Sequence, residues 1–289
     1  MFVIFCVFAI QSLSSRESEE INEGITRFLI NWDLYQYEVK SVMNMNEAIS
    51  LNERFYVRNQ IRELLLKRIS SDIENLYIDN SHKISDILDE NINFRREFPI
   101  YLQSINLVRM LFRNNVIEAS TSLPLRGNQG LLSHLPLPWA TMAYNSLSEP
   151  EYVGEAYQKT RVGNDFEAGL VPLQYSGIII DLRGMEVNEA LAPRIYSQTG
   201  QLIYGPEFIM QKIGVQRGII AYVNSMDDPE AKIRAGSSAY FTVGLSTRGQ
   251  YKTDVVVSSR DATRIMQHIK TLESLQKCRV IFLVDKKNV

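Results

Sequence analysis

The sequence predicts an α+β protein of two small domains, each a mainly antiparallel sheet packed by one or two helices. Three observations point there. Fourteen of the fifteen glycines and eight of the nine prolines lie at or beyond Pro124, leaving only Gly24 and Pro99 before it. The first part should therefore carry long regular elements, and the second part turns and short strands. Next, Phe55, Val57, Ile61, Leu64, Leu65, Ile69 and Ile73 form an apolar stripe with the period of one long helix laid on a core. Finally, short Ile- and Val-rich runs bounded by Gly, Asp or Ser recur beyond residue 175, as strands do.

Composition supports a folded chain. Of the 289 residues 45% are apolar and 22% charged, a globular balance with enough length for two modest cores. The formal net charge of −2 gives no reason to expect a nucleic-acid surface. The aromatics sit at core spacing and do not interleave with Arg and Lys, as a base-stacking platform would require.

Residues 2–10 (FVIFCVFAI) are continuously apolar, and Ser12-Leu13-Ser14-Ser15 offers small residues where a signal peptidase would cut. The run is too short to span a bilayer and suits the apolar core of a secretory signal. Residues 1–15 are therefore expected to be a signal peptide. Cys6 follows the bulky Phe5 inside that run, which does not suit lipidation. Removal of the segment would leave Cys278 alone, with no intramolecular disulfide. The apolar run after Cys278 makes it a small core residue at the start of a buried strand.

The first domain is expected over residues 16–138. Ser18 to Ile30 reads as a short helix or ordered arm, and the alternation of Tyr35, Tyr37 and Val39 as a strand. Asn46 can cap the long helix, which runs to about Leu76. Arg54, Arg58, Arg62, Glu63, Lys67 and Arg68 fall mostly off its apolar stripe and read as a solvated face. A short helix around Ile84 to Glu90 comes next. Ile100 to Phe112 and Val116 to Leu123 read as two strands, with Arg113-Asn114-Asn115 as the hairpin tip. Leu123 to Pro138 (LPLRGNQGLLSHLPLP) is an apolar loop bounded by prolines. Its Leu131, Leu132, Leu135 and Leu137 must either meet a partner or fold back onto the core.

Residues 139–174 are the expected linker or insertion, and residues 175–289 the second domain. That domain opens with a buried strand, Gly177 to Ile180, followed by a hairpin from Arg194 to Tyr204 with its turn at Thr199-Gly200. Strands follow at Gly218 to Val223, Ala239 to Leu245 and Thr253 to Val257, with a turn at Ser246-Thr247-Arg248-Gly249. Ser258 and Asp261 stand in capping-box positions before a helix whose apolar face carries Ala262, Ile265, Met266, Ile269 and Leu272. Arg279 to Val284 is the last strand.

Motifs that carry chemistry are scarce. The three histidines, His82, His134 and His268, have neither HExxH spacing nor paired cysteines, which argues against zinc. Phosphate-cradling glycine loops and a GxSxG elbow are missing from the sequence. The SxxK of Ser274 to Lys277 and the SxN of Ser104 to Asn106 come in the wrong order for a penicillin-recognising serine enzyme. The best catalytic candidates are Asp181, at the end of an apolar strand with Arg183 two residues on, and Asp254 before another strand. Carboxylates at strand ends can bind a divalent metal or act as acid and base. A carboxylate beside an arginine also makes a plain ion pair that fixes a turn.

Several blocks together carry a resemblance. They are Asn31-Trp32, Ile117-Glu118-Ala119, Leu123-Pro124-Leu125-Arg126-Gly127 and Gly130-Leu131-Leu132-Ser133. Further on come Gly177-Ile178-Ile179-Ile180-Asp181-Leu182-Arg183-Gly184, Ala192-Pro193-Arg194-Ile195 and Gly200 with Ile203-Tyr204-Gly205. The set closes with Thr253-Asp254-Val255-Val256-Val257-Ser258 and Cys278-Arg279-Val280-Ile281. In this order they resemble the envelope lipoprotein family of LPP-twenty type, related to the N-terminal domain of the flagellar H-ring protein FlgT. The resemblance implies a secreted, periplasmic or outer-membrane-associated protein with no known catalytic residues, and neither a cofactor nor a bound metal is expected.

On that footing Gly177, Asp181, Arg183, Gly184, Pro193, Arg194, Gly200, Gly205 and Asp254 form a structural signature. Gly177 permits close backbone approach, Asp181 and Arg183 pin a strand end, Gly184 supplies a turn, and Pro193 suits an edge strand. The expected function is a non-catalytic structural or assembly component, with a role in the flagellar apparatus as its narrower form. Expected partners are other envelope or flagellar proteins, and a homo-oligomer is a further option. Neither nucleic acid nor a small-molecule substrate is expected. The alternatives are a metal-dependent hydrolase using Asp181 and Asp254, or a module binding peptidoglycan or a small ligand near residues 139–174.

Overall fold

Alternation builds the first sheet. In β2 (Gln36–Asn44) the side chains of Tyr37, Val39, Ser41 and Met43 point inward, and in β4 (Val116–Pro124) those of Ile117, Ala119, Thr121 and Leu123. With β1 (Thr26–Asn31) and β3 (Arg109–Arg113) these strands make an antiparallel sheet of order β1-β2-β4-β3. The computed structural model describes residues 26–32, 34–44, 50–103, 109–113, 115–141, 175–267 and 269–286. The expected signal peptide, Asn46, Ser104 to Asn106, Asn114, His268 and most of the expected linker lie outside these residues.

Helix α1 (Glu53–Glu74) covers the inner face of this sheet through Val57, Ile61, Leu65, Ile69 and Ile73, five residues of the stripe read from the sequence; of its other two, Leu64 is half-buried and Phe55 is 74% exposed. The Tyr37 hydroxyl donates to Asp72 at 2.8 Å and ties helix to strand. Helix α2 (Ile84–Glu90) lies where the sequence predicts it. Residues Ile100 to Gln103, expected as strand, instead end a helix, α3 (Ile92–Gln103), despite Pro99 inside it. Phe94, Phe98 and Tyr101 explain this: at i, i+4 and i+7 they share one buried helix face. Thr26 to Ile30, expected as helix or arm, is strand.

The second part is mixed, in keeping with α+β, and one of its sheets is all parallel. Strands β5 (Gly177–Asp181), β8 (Ala221–Val223), β9 (Ala239–Val243) and β12 (Val280–Leu283) run in the order β8-β12-β5-β9. This departs from the antiparallel pairing expected there, and the side chains give the reason. Strands β5, β8 and β12 are unbroken apolar runs buried on both faces, the signature of a covered parallel sheet. Ile178, Ile180, Tyr222 and Phe282 join the main core on one face. On the other, Ile179, Val223, Ile281 and Leu283 meet Ala231 and Ala235 of helix α5 (Pro229–Ala235).

A further sheet of order β10-β11-β6-β7 contains the hairpin β6 (Ile195–Ser197) and β7 (Leu202–Tyr204), with β10 (Ser246–Arg248) and β11 (Asp254–Val257). The turn of the hairpin holds Gly200 at φ +84°, a conformation other residues resist. Ser246 to Arg248 is strand where a turn is expected. The expected single C-terminal helix is two, α6 (Ser259–Met266) and α7 (Ile269–Gln276), and Ser258 caps the first by accepting from the Asp261 N–H at 3.0 Å. Helices α4 (Gln211–Arg217) and α5 have no counterpart in the sequence reading.

One hydrophobic core runs through both parts. Trp32 meets Tyr222 with ring centroids 5.1 Å apart, and the Tyr35 hydroxyl donates to the Ile220 carbonyl. Leu191 and Ala192 donate backbone N–H groups to Tyr77 and Ile78 at 3.0 and 2.7 Å. The proline-bounded loop joins the same seam: Gly127 donates to Val215 at 2.7 Å and Ala140 to Ile209 at 3.0 Å. Among the described residues no helix is long and apolar enough to cross a membrane.

Candidate functional site

Two of the carboxylates singled out from sequence sit in separate places, Asp181 at the end of β5 and Asp254 at the start of β11 in another sheet. Asp181 accepts two bonds from the Arg183 guanidinium, at 2.9 and 2.6 Å, and one from the Arg183 N–H at 3.1 Å. The Arg183 side chain foremost holds the Asp181 carboxyl below the usual carboxylate range. Gly184, at φ +79°, donates its N–H to Asp285 at 2.7 Å, which ties this turn to the end of β12. The result is a pinned turn with a half-exposed arginine.

Asp254 belongs to a polar seam between the two parts. Its carboxylate accepts the Arg194 N–H at 2.9 Å and the Asn80 amide, and the residue is fully buried. The Arg194 guanidinium bridges Asp79 at 3.0 Å and Glu207 at 2.8 Å. His82 in turn meets Asp79 at 3.0 Å. Burial pushes the Asp254 carboxyl up to about 6, against the pull of the Arg194 N–H and Asn80. Burial works the same way on Asp79, but there the Ser81 N–H and Arg194 prevail and hold it below the carboxylate range. A carboxyl raised to about 6 has the acidity of a general acid or base, yet at Asp254 no surface is open for a substrate to approach.

Two of the four signature glycines, Gly177 and Gly205, serve close approaches, whereas Gly184 and Gly200 serve turns at positive φ. A Cβ on Gly177 would stand 2.6 Å from the Ala235 carbonyl oxygen, and one on Gly205 would stand 2.9 Å from the Arg194 side chain. Pro193, expected on an edge, is buried ahead of β6, an inner strand of its sheet. Leu131, Leu132 and Leu135 are buried in the core, and Leu137 packs against it. The loop folds back, so these leucines offer no exposed apolar patch.

Sequence reasoning missed the partners that make the seam: Asp79, Asn80 and Glu207 lie in stretches without periodicity. It also missed Arg234. This arginine is buried to 1% exposure and donates to the carbonyls of Cys278, Arg217 and Gly218 at 2.8, 3.0 and 2.5 Å. A signal existed, since Arg234 shares the face of α5 that carries Ala231 and Ala235. Cys278 itself sits in the turn before β12 at φ +55°, wholly buried, where burial pushes its thiol up to about 11. Among the described residues no group of three or more His, Cys, Asp or Glu could hold a metal ion.

The fold and these sites define a mixed α+β protein in which Asp181, Asp254, Arg194 and Arg234 are bound to other groups of the protein. Residues 177–286 match the family model described as Treponema pallidum Tp0624, second domain. That stretch begins with β5 and takes in the parallel sheet, the hairpin sheet, Asp181 and Asp254. No curated protein matches the chain.

Proposed function

We propose that this chain is a non-catalytic component of the bacterial cell envelope, periplasmic or associated with the outer membrane, acting in structure or assembly. The observation that carries the reading is the commitment of its acidic candidates. Both oxygens of Asp254 are bound inside the protein, and Asp181 is clasped by Arg183. A metal-dependent hydrolase needs carboxylates that converge on a free position, and these two end strands of different sheets. The apolar run at residues 2–10 supports the compartment. A place in the flagellar apparatus is the narrower form of the proposal, resting on the resemblance of the sequence blocks alone.

Cell fractionation followed by cross-linking tests both levels. The expected result is recovery in the envelope with specific protein partners. Recovery only in the soluble cytosol overturns the compartment. An envelope location and partner set unchanged in cells lacking flagella overturn the flagellar role.

A further inference from the structure

The least explained surface lies where the N-terminal end of α1 overhangs the edge strand β3. Arg54, Phe55, Arg58, Met110, Leu111 and Phe112 line a groove of about 430 Å³ there. Phe55 is 74% exposed, and its neighbours Leu51 and Tyr56 are 77% and 58% exposed. Large side chains this open, gathered at one place, mark an interaction surface. Among the described residues strand β3 pairs only with β4, so within them its other edge offers unpaired backbone N–H and C=O groups.

Among the described residues the charges around the groove are mostly of one sign. Arg54 and Arg58 flank it from the helix, and Arg109 and Arg113 stand exposed on the outer face of β3. Against these four are Glu118, which meets Arg113 at 3.7 Å, and Glu53, whose carboxylate is turned to Ser50. Arg54 lies over the Phe112 ring at 5.3 Å, and its buried Nε–H has no hydrogen-bond partner among the described residues. Two arginines in the first turns of a helix also oppose the helix dipole, an arrangement that an anionic partner would relieve.

Charged residues alone on an edge strand are explained as guards against stray pairing. An apolar groove with an open phenylalanine beside that edge is not. We infer that β3 and the α1 overhang receive an extended acidic-apolar segment of a partner protein, added to the sheet as a further strand. Alternate side chains of such a segment meet different faces. One set enters the groove of Phe55, Met110 and Phe112 beneath Arg54 and Arg58. The other set lies along Leu111 between Arg109 and Arg113. The inference rests on the assembly reading and gives it a surface.

The test is selection from a displayed library of random ten-residue peptides, with the Arg54→Glu/Arg58→Glu variant as the counter-selection. Peptides alternating Asp or Glu with Phe, Leu or Ile should be enriched. Their affinity, read by fluorescence anisotropy, should fall at least about tenfold in that variant and in Phe55→Ala, and severalfold between low and high salt. Phe55 is so exposed that its truncation leaves folding intact, and circular dichroism checks both variants. Enrichment of nothing over the variant, or of peptides without acidic residues, overturns the inference. So does binding to phosphatidylglycerol vesicles that is lost in the same variants while no peptide is selected. An envelope-located chain that selects no peptide sinks this inference alone; a cytosolic chain that selects acidic peptides sinks only the envelope reading.

Discussion

The ring of Tyr35 lies on the α-carbon of Gly218, so closely that a Cβ built on Gly218 would stand inside the ring's van der Waals envelope. Tyr35 comes from the turn between β1 and β2, and Gly218 from the C-terminal end of α4, so this contact joins the two parts of the protein. Gly218 also holds φ +73°, and Tyr35 itself sits at φ +51°. Two unusual backbone conformations are kept so that a tyrosine can pass between the halves and donate to Ile220.

Gly218→Ala should therefore destabilise the protein by roughly 3 kcal/mol or more, from backbone strain and overpacking together. In a Tyr35→Ala background the same change should cost only about 1 kcal/mol, the strain alone. Urea denaturation of the four proteins in this cycle measures the coupling, and additive losses would refute the close contact.

Much of the fold was legible because burial imposed a period. The stripe on α1, the alternation of β2 and β4, the Gly200 hairpin and the Ser258 cap all follow from local rules. The misread pairing of the second part has a clear physical source. Ile178 to Ile180 and Val280 to Leu283 are apolar throughout, so nothing in them distinguishes parallel from antiparallel pairing until the layers on both faces are known. Of the candidate site, Asp254 and Arg194 were legible as a strand-end acid and a hairpin base. Their partners Asp79 and Asn80 lie 115 and 174 residues away in sequence, and only the tertiary fold brings them near.

Asp254 should make the native state more stable as the medium is acidified from pH 7 to about pH 4. Its folded carboxyl titrates near about 6, above the roughly 3.9 of an unfolded aspartate, so the native state binds the extra proton in this window. The contribution at neutral pH is unfavourable, on the order of 2–3 kcal/mol. Asp79, held below the carboxylate range, acts with the opposite sign and only below about pH 4. Urea midpoints at pH 7 and pH 5 should differ for the wild type, and the difference should shrink in Asp254→Asn. Parallel pH profiles for the two proteins would show that Asp254 has no such role.

Arg194 holds both Asp79 and Glu207, and its side chain is only 14% exposed. Arg194→Met leaves two carboxylates facing each other in the seam, at a cost of about 3–5 kcal/mol. Adding Asp79→Asn and Glu207→Gln should recover part of that loss, because the stranded charges go with them. A triple variant no more stable than Arg194→Met would mean that packing, and not charge, carried the effect.

Cys278 is wholly buried, with its thiol pushed up to about 11. In a Cys6→Ser chain it should resist aromatic disulfide reagents in the native protein at pH 8 and react promptly in denaturant. Labelling that instead follows the rate for an exposed thiol would contradict the turn geometry around Arg234 and Cys278.

The pair of Asp181 and Arg183 is the sharpest discriminator between the assembly reading and a metal-dependent hydrolase. The arginine is half exposed, with 51% of its side chain open to solvent, so water screens the pair. Arg183→Ala should then leave the urea midpoint close to that of the wild type. With both Asp181 oxygens engaged by Arg183, calorimetric titration with Mn²⁺ should give the same trace for the wild type, Asp181→Asn and Asp254→Asn. A saturable heat in the wild type that disappears in both variants would mean that the carboxylates converge on a metal. That outcome would move the protein from the assembly class to the hydrolases, because it requires Arg183 to release Asp181 and the seam around Asp254 to open.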